Sequence, residues 1–216
     1  MSAEKCTWAY RNHLEEVYHD EEWGTPHHDD HRMFEFLILE GMQAGLSWTT
    51  IIKRREAMRH AFDGFSVEAL AGYDEGKIDA LMNNPEVIRH RLKLQALSKN
   101  AKAFQAVQAE YGSFDSYIWS FTDGLSIVGH WTSMEDIPLV TPWAEYISKD
   151  LKKRGFTFVG PTIVQSFLQA IGILNDHVKT CPRYQELMTM GIPSVSYTIF
   201  ARPWVEAHPP KKGRRL

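Results

Sequence analysis

The 216-residue chain has little cysteine: only Cys6 and Cys181, near opposite ends. So few thiols exclude a disulfide framework as the source of stability and point to a reducing setting. No apolar run approaches the roughly 20 residues that a membrane helix needs. The opening stretch "MSAEKCTWAYRNHLEEVYHDEEWG" lacks the apolar core of a signal peptide, so the expected location is cytoplasmic. Strand-like alternation is confined to short pieces such as "SYTIF" near the end, and there is no internal repeat. A large charge of one sign is also absent, the net value being −3. That value conceals a polarity. The first fifty residues hold ten acids against three bases, and basic clusters follow in "KRREAMRH", "RHRLK", "KDLKKRG" and "KKGRR". Such patches allow contact with a polyanion without requiring it.

What is present is helix. Asp30 is placed to cap a helix over 31–43, apolar on nearly every side, and Ser47 to cap the next from Trp48. A short helix after Ser66 and another over "DEGKIDALMNN" follow, the latter closed by Pro85. Helical periodicity then runs over 86–111, with a break near His90 and an end at Gly112. "SFDSYIWSF" reads as a further short helix, and 123–140 as a long connection. Thr141 caps a helix with Pro142 in its first turn, where a missing amide hydrogen costs nothing, and Gly155 ends it. A last strong helix starts at Pro161. The expected class is all-α.

Three groups of residues can carry chemistry. His177 and Cys181 stand four apart, so one helical turn points both the same way, and Cys6 with His19 forms a looser second pair. Two cysteines and two histidines suit tetrahedral zinc. Two unlinked reduced thiols are the alternative. Four protein ligands would leave no place for water, so such a metal would clasp the chain rather than catalyse. "HHDDH" at 27–31 is richer to the eye but reads as an exposed loop before a helix.

The second group is "LILEGMQAGLSWTTI". Glu40 interrupts Phe36, Leu37, Ile38 and Leu39, with no Lys or Arg one helical turn away. A lone carboxylate buried there needs a donor or a cation, and a ligand is one candidate. "AGLS" breaks the helix, and Trp48 follows. Trp8, Tyr10, Tyr18 and Trp23 make the same region dense in aromatic rings, which would either fill a core or stack on a flat cationic ring. The third group, "KKRGFTFVGPT", joins two helices by a short turn with glycine at each end, a geometry that lets backbone amides reach a phosphate.

Taken in order, Cys6 and Trp8 in "CTW", "YHDEEWG" at 18–24, "LEGMQAGLSW" at 39–48, "VIRHRLK" at 87–93, "LKKRGFTFVGPT" at 151–162 and "NDH" with Cys181 resemble the DNA-3-methyladenine glycosylase I family. The likeness spans 6–181. It implies an all-α helix-hairpin-helix glycosylase fold, with a structural zinc clasp joining the N- and C-terminal segments. It implies a monofunctional enzyme that hydrolyses the N-glycosidic bond of N3-methyladenine in alkylated double-stranded DNA. By the resemblance, Cys6, His19, His177 and Cys181 hold one zinc. Glu40 is the catalytic residue at the modified adenine, with Tyr18, Trp48 and Trp8 binding the base. Gly45 and Leu46 enter the base stack, and Val159, Gly160 and Thr162 hold a phosphate. Asp176 receives no catalytic role. The hairpin offers no lysine as a Schiff-base nucleophile, so no strand cleavage is expected.

The expected organisation is one glycosylase domain over 1–183, built as two helical lobes around a base pocket. An extension over 184–216 ends in the basic tail "PPKKGRRL". A monomer is expected. The competing reading is a non-catalytic module that binds DNA lesions, which would have little use for a carboxylate in an apolar pocket. A zinc hydrolase is disfavoured because four ligands saturate the metal.

Overall fold

The computed structural model describes residues 4–207, so the "PPKKGRRL" tail lies outside the described residues. The chain forms eleven α-helices and three short strands among these residues. In order they are α1 (His13–Glu21), α2 (Asp30–Gln43), α3 (Trp48–Ala61), α4 (Val67–Ala71), α5 (Glu75–Met82), α6 (Arg91–Tyr111), α7 (Phe114–Trp119), β1 (Ser126–Val128), α8 (Pro142–Lys153), α9 (Pro161–Ala170), β2 (Leu174–Asn175), α10 (Pro182–Thr189), β3 (Ser194–Ser196) and α11 (Tyr197–Ala207). None of these helices is long and apolar enough to cross a membrane.

Most helix starts follow from local chemistry. The side chains of Ser47, Ser66, Asp74, Ser113 and Thr141 each accept the backbone N–H that a cap should accept. Pro142 and Pro161 sit in the first turns of α8 and α9, and Gly112 ends α6 at φ 86°. The cap of α2 is Asp29, one residue before the expected Asp30. Asp30 is thereby free to act at longer range. Its carboxylate accepts from the backbone N–H of Phe114 and of Asp115 and from Gln108 Nε2, tying α2 to α6 and α7. "HHDDH" is thus only in part an exposed loop, since His27 and Asp30 are half-buried.

The all-α expectation needs correction. β1 pairs in parallel with β2 on one side and β3 on the other, giving the order β2-β1-β3. The sheet crosses the stretch expected to be a bare connection and reaches into the C-terminal extension. Conversely, "SYTIF" is not a strand: only its serine belongs to β3, and Tyr197 opens α11. Tyr197 and Phe200 pack on the fully buried Trp143 of α8, with ring centroids 5.1 and 5.3 Å away.

The core continues without interruption from Cys6 and Tyr18 through α2, α3, α6 and α7 to α8, α9 and Cys181. α2 is its axis. Every residue from Met33 to Met42 is buried, including two carboxylates, Glu35 and Glu40.

Candidate base pocket and metal cluster

Glu35 and Glu40 show what pairing does for a buried charge. Glu35 accepts hydrogen bonds from Arg55 Nε at 2.7 Å and from Arg59 Nη2 at 2.6 Å. Arg55 also bridges to Glu22 at 2.8 Å, and Arg32 reaches Glu22 at 2.7 Å. Charge and hydrogen bonding are satisfied in that network. Glu40, five residues later and 4% exposed, has no cation among the described residues, and its Oε2 has no hydrogen-bond partner among them. Burial alone pushes its carboxyl up to about 8.

An aromatic cluster centred on Tyr18 lies beside this position. Tyr18 comes from α1, which Asn12 caps by accepting the Glu15 N–H. Its ring lies 4.9 Å from Trp48, 6.1 Å from Trp8 and 6.3 Å from Phe36. Burial, and after it the negative charge of Glu40, raises the Tyr18 phenol well above its usual range. Trp48 follows its cap Ser47 directly, is half-buried, and has a buried indole Nε1 with no hydrogen-bond partner among the described residues. The chain thus brings Tyr18, Glu40 and Trp48 together, with Trp8 against Tyr18. Between Glu40 and Trp48, α2 ends at Gln43. Gly45 then takes φ 77° where an added Cβ would meet nothing, and Leu46 is 41% exposed. Glycine is the residue this left-handed position favours.

One pocket-side residue escaped the sequence reading. Glu15 precedes Tyr18 by one turn on α1 and is fully buried. Its Oε1 accepts from Asn12 Nδ2 at 2.9 Å and from the Thr49 hydroxyl, while its Oε2 has no hydrogen-bond partner among the described residues and lies 3.9 Å from Arg11 Nη1. The link joins α1 to the start of α3 and so fixes Tyr18 against Trp48.

The hairpin lies between α8 and α9. Gly155, at φ 95°, lets the Phe156 N–H return to Leu151 O at 3.1 Å and close α8. Gly160 precedes α9 without a side chain to cap it, and Thr162 is exposed in its first turn. Val159 is buried at 1%, which leaves only its backbone for any contact with solvent-borne groups. Lys152 and Lys153 are exposed. Arg154 is engaged internally instead, by Asp150 at 2.7 Å and Glu110 at 2.7 Å.

The fourth assembly unites the chain ends. Cys6 Sγ lies 3.6 Å from His177 Nδ1, Cys181 Sγ is 3.6 Å from the same nitrogen and 3.5 Å from His19 Nε2, and all four side chains are buried. The remaining ring nitrogens are used elsewhere: His19 Nδ1 is 2.8 Å from Asp20 Oδ1, and His177 Nε2 donates to Trp23 O at 3.0 Å. Asp176, next to His177, is also buried, and accepts from Trp131 Nε1 at 2.7 Å and Gln169 Nε2 at 2.8 Å.

The chain as a whole has relatives. The methyladenine glycosylase family profile matches residues 8–184. The chain is 42% identical over 178 residues to the DNA-3-methyladenine glycosylase of Haemophilus influenzae, covering 82% of this chain and 96% of that one. It is 42% identical over 181 residues to DNA-3-methyladenine glycosylase 1 of Escherichia coli, covering 84% and 97%. A crystal structure of a variant 3-methyladenine DNA glycosylase I in complex with 3-methyladenine superposes with a TM-score of 0.81 at 37% identity, covering 85% of this chain and 98% of that one.

The chain belongs to the methyladenine glycosylase family. The family match includes every candidate side chain named above except Cys6, which precedes it, and it stops at the start of α10. β3 and α11 therefore lie beyond the family profile, although β3 completes the sheet and α11 covers Trp143.

Proposed function

We infer that this chain is a monofunctional DNA glycosylase that hydrolyses the N-glycosidic bond of N3-methyladenine in alkylated DNA. The observation that carries the reading is Glu40, a carboxylate buried beside the Tyr18 aromatic cluster with no partner for Oε2 among the described residues. The enzyme must act on a base taken out of the stack, and a damaged, weakly paired base is cheapest to extrude. N3-methyladenine in DNA carries a positive charge. Glu40 supplies the opposite charge and a hydrogen-bond acceptor, while Tyr18, Trp48 and Trp8 supply ring faces that attract the cation. Neutral adenine offers no such charge, so it forgoes the attraction that draws the cationic base to an ionised Glu40. The cationic base is already a good leaving group, which removes the need for a strong general acid.

Gly45 and Leu46 are suited to enter the space vacated by the extruded base, being exposed on a tight turn directly beside the pocket wall. The α8–α9 turn supplies the phosphate grip in this reading: the backbone at Val159, Gly160 and Thr162 at an α9 start that no side chain caps. Lys152 and Lys153 add sequence-independent attraction. This is how a helix-hairpin-helix would serve the site.

Cys6, His19, His177 and Cys181 would hold one zinc ion. Zn–S near 2.3 Å and Zn–N near 2.0–2.1 Å at a tetrahedral angle separate sulfur from nitrogen by about 3.6 Å, which agrees with the three sulfur–nitrogen distances. The outer hydrogen bonds of both histidines also leave Nε2 of His19 and Nδ1 of His177 facing the sulfurs, the usual arrangement behind metal-bound histidine. With four ligands from the protein the ion would supply cohesion and no chemistry. The experiment is release of free base from methylated DNA by the wild type and by Glu40→Gln. No free N3-methyladenine with the wild type would overturn the activity, and equal release by the variant would overturn the role of Glu40.

A further inference from the structure

Lys93 is a buried lysine that the functional reading leaves unused. It stands in the first turn of α6, where a positive charge opposes the helix dipole. It is 5% exposed and meets no carboxylate among the described residues; its Nζ donates to Met42 O at 2.8 Å and to Ala44 O at 2.6 Å. These are carbonyls at the C-terminal end of α2, which a cation suits. Ala44 is the residue before Gly45, so the ammonium grips the base of the loop that presents Leu46.

Two turns further along α6, Asn100 does the same for the hairpin. Its Oδ1 accepts the Thr157 N–H at 2.8 Å, and its Nδ2 donates to Thr157 O at 3.0 Å. Asn100 is 3% exposed. Lys93 and Asn100 are seven residues apart, so they share a face of α6 and lie about 10 Å apart along its axis. The two held segments also touch each other. A Cβ on Gly41 of α2 would stand 3.5 Å from Phe158 Cβ, within the hairpin turn.

We propose that this face of α6 is a ruler, with Lys93 and Asn100 as positioning residues that fix the DNA-entering loop relative to the phosphate-gripping turn before DNA arrives. The inference rests on the roles assigned to those two segments under the proposed function. Its consequence is specific. Fixing the loop matters only where a base must be extruded from a duplex and its place filled. A single strand, or the free base, needs the pocket and not the ruler.

The test uses Lys93→Met, which keeps the apolar stem and removes the donors. Three quantities are compared with the wild type: kcat/KM for base release from methylated duplex DNA, the same for methylated single strands, and affinity for free 3-methyladenine by tryptophan fluorescence. The expected result is a loss on the order of tenfold on duplex, with single-strand excision and base affinity within about twofold. Lys93→Gln, too short to reach both carbonyls, should show the same pattern and serves if Lys93→Met does not fold. Leu46→Ala is the control for the loop. If Leu46→Ala loses duplex excision and the Lys93 variants do not, the ruler is wrong and the loop reading stands. Equal losses on duplex, single strand and free base would reduce Lys93 to a general structural residue and overturn the inference. If Leu46→Ala leaves the duplex-to-single-strand ratio unchanged, the loop reading fails, and the inference with it.

Discussion

Glu40 and Glu35 share a helix, a burial depth and a chemistry, yet only Glu35 has arginines. The difference gives Glu40 a pH dependence of its own. Glu40 has a folded-state value near 8 against an ordinary value of 4.5, so it opposes folding once the unfolded chain can ionise. The stability that a protonated Glu40 contributes is therefore full below about pH 4.5 and lost as pH rises towards 8. Between pH 5 and pH 8 the wild type should lose roughly 3 kcal/mol more than Glu40→Gln, measured by urea unfolding at both values. Catalysis needs the ionised form, so kcat/KM should climb to about pH 8 and level off above it, a rise that Glu40→Gln should lack. Glu40 was legible in the sequence because no cation stands one turn away. Glu15 was not, because "HLEEV" reads as a solvated helix face and its partner Thr49 lies 34 residues on. Thr49→Val should cost about 1–2 kcal/mol by leaving the buried Glu15 with one donor fewer, read as a lowered urea midpoint.

At the scale of elements, what is decided within a turn of chain was readable and what is decided across the fold was not. Ser47, Ser66, Thr141 with Pro142, Gly112 and Gly155 mark helix ends by bonds to residues a few positions away. The strands are two or three residues long and are paired with segments 47 and 68 positions distant, so no period-2 pattern had room to form. In "SYTIF" five residues could not separate a strand from the first turn of α11. The turn after α9 carries a tighter constraint. Gly172 has φ 72°, and a Cβ there would stand 2.3 Å from the backbone of Thr25 and Pro26. Neither backbone can yield without moving the segment between α1 and α2. Gly172→Ala should therefore destabilise by about 2 kcal/mol or more, combining a left-handed conformation with a backbone clash, and should lower the thermal midpoint.

Across the whole molecule, the Cys6–His19–His177–Cys181 cluster brings the two ends of the chain together, and under the proposed function a zinc ion held there would close a loop of most of the chain and fix the segment carrying Trp8 and Tyr18. Its four residue types and the four-residue step from His177 to Cys181 were readable, but spacing alone left two unlinked thiols open. The bond network behind the histidines could be seen only after folding. Cys181→Ala should lose stoichiometric zinc by elemental analysis and melt several degrees lower; unchanged metal content would contradict the clasp. The extension is a second lesson at this scale. β3 and α11 hold apolar side chains against β1 and Trp143, so the body continues past the end of the family profile.

The most direct test of the whole account is the base released from methylated DNA by the wild type and by Glu40→Gln at neutral pH. Chromatography of the supernatant should show free N3-methyladenine with the wild type and a loss on the order of a hundredfold or more with the variant, the effect expected on removing a charge aimed at the reacting group. Release of N3-methyladenine at the same rate by both proteins would contradict the central claim that Glu40 recognises the cationic base.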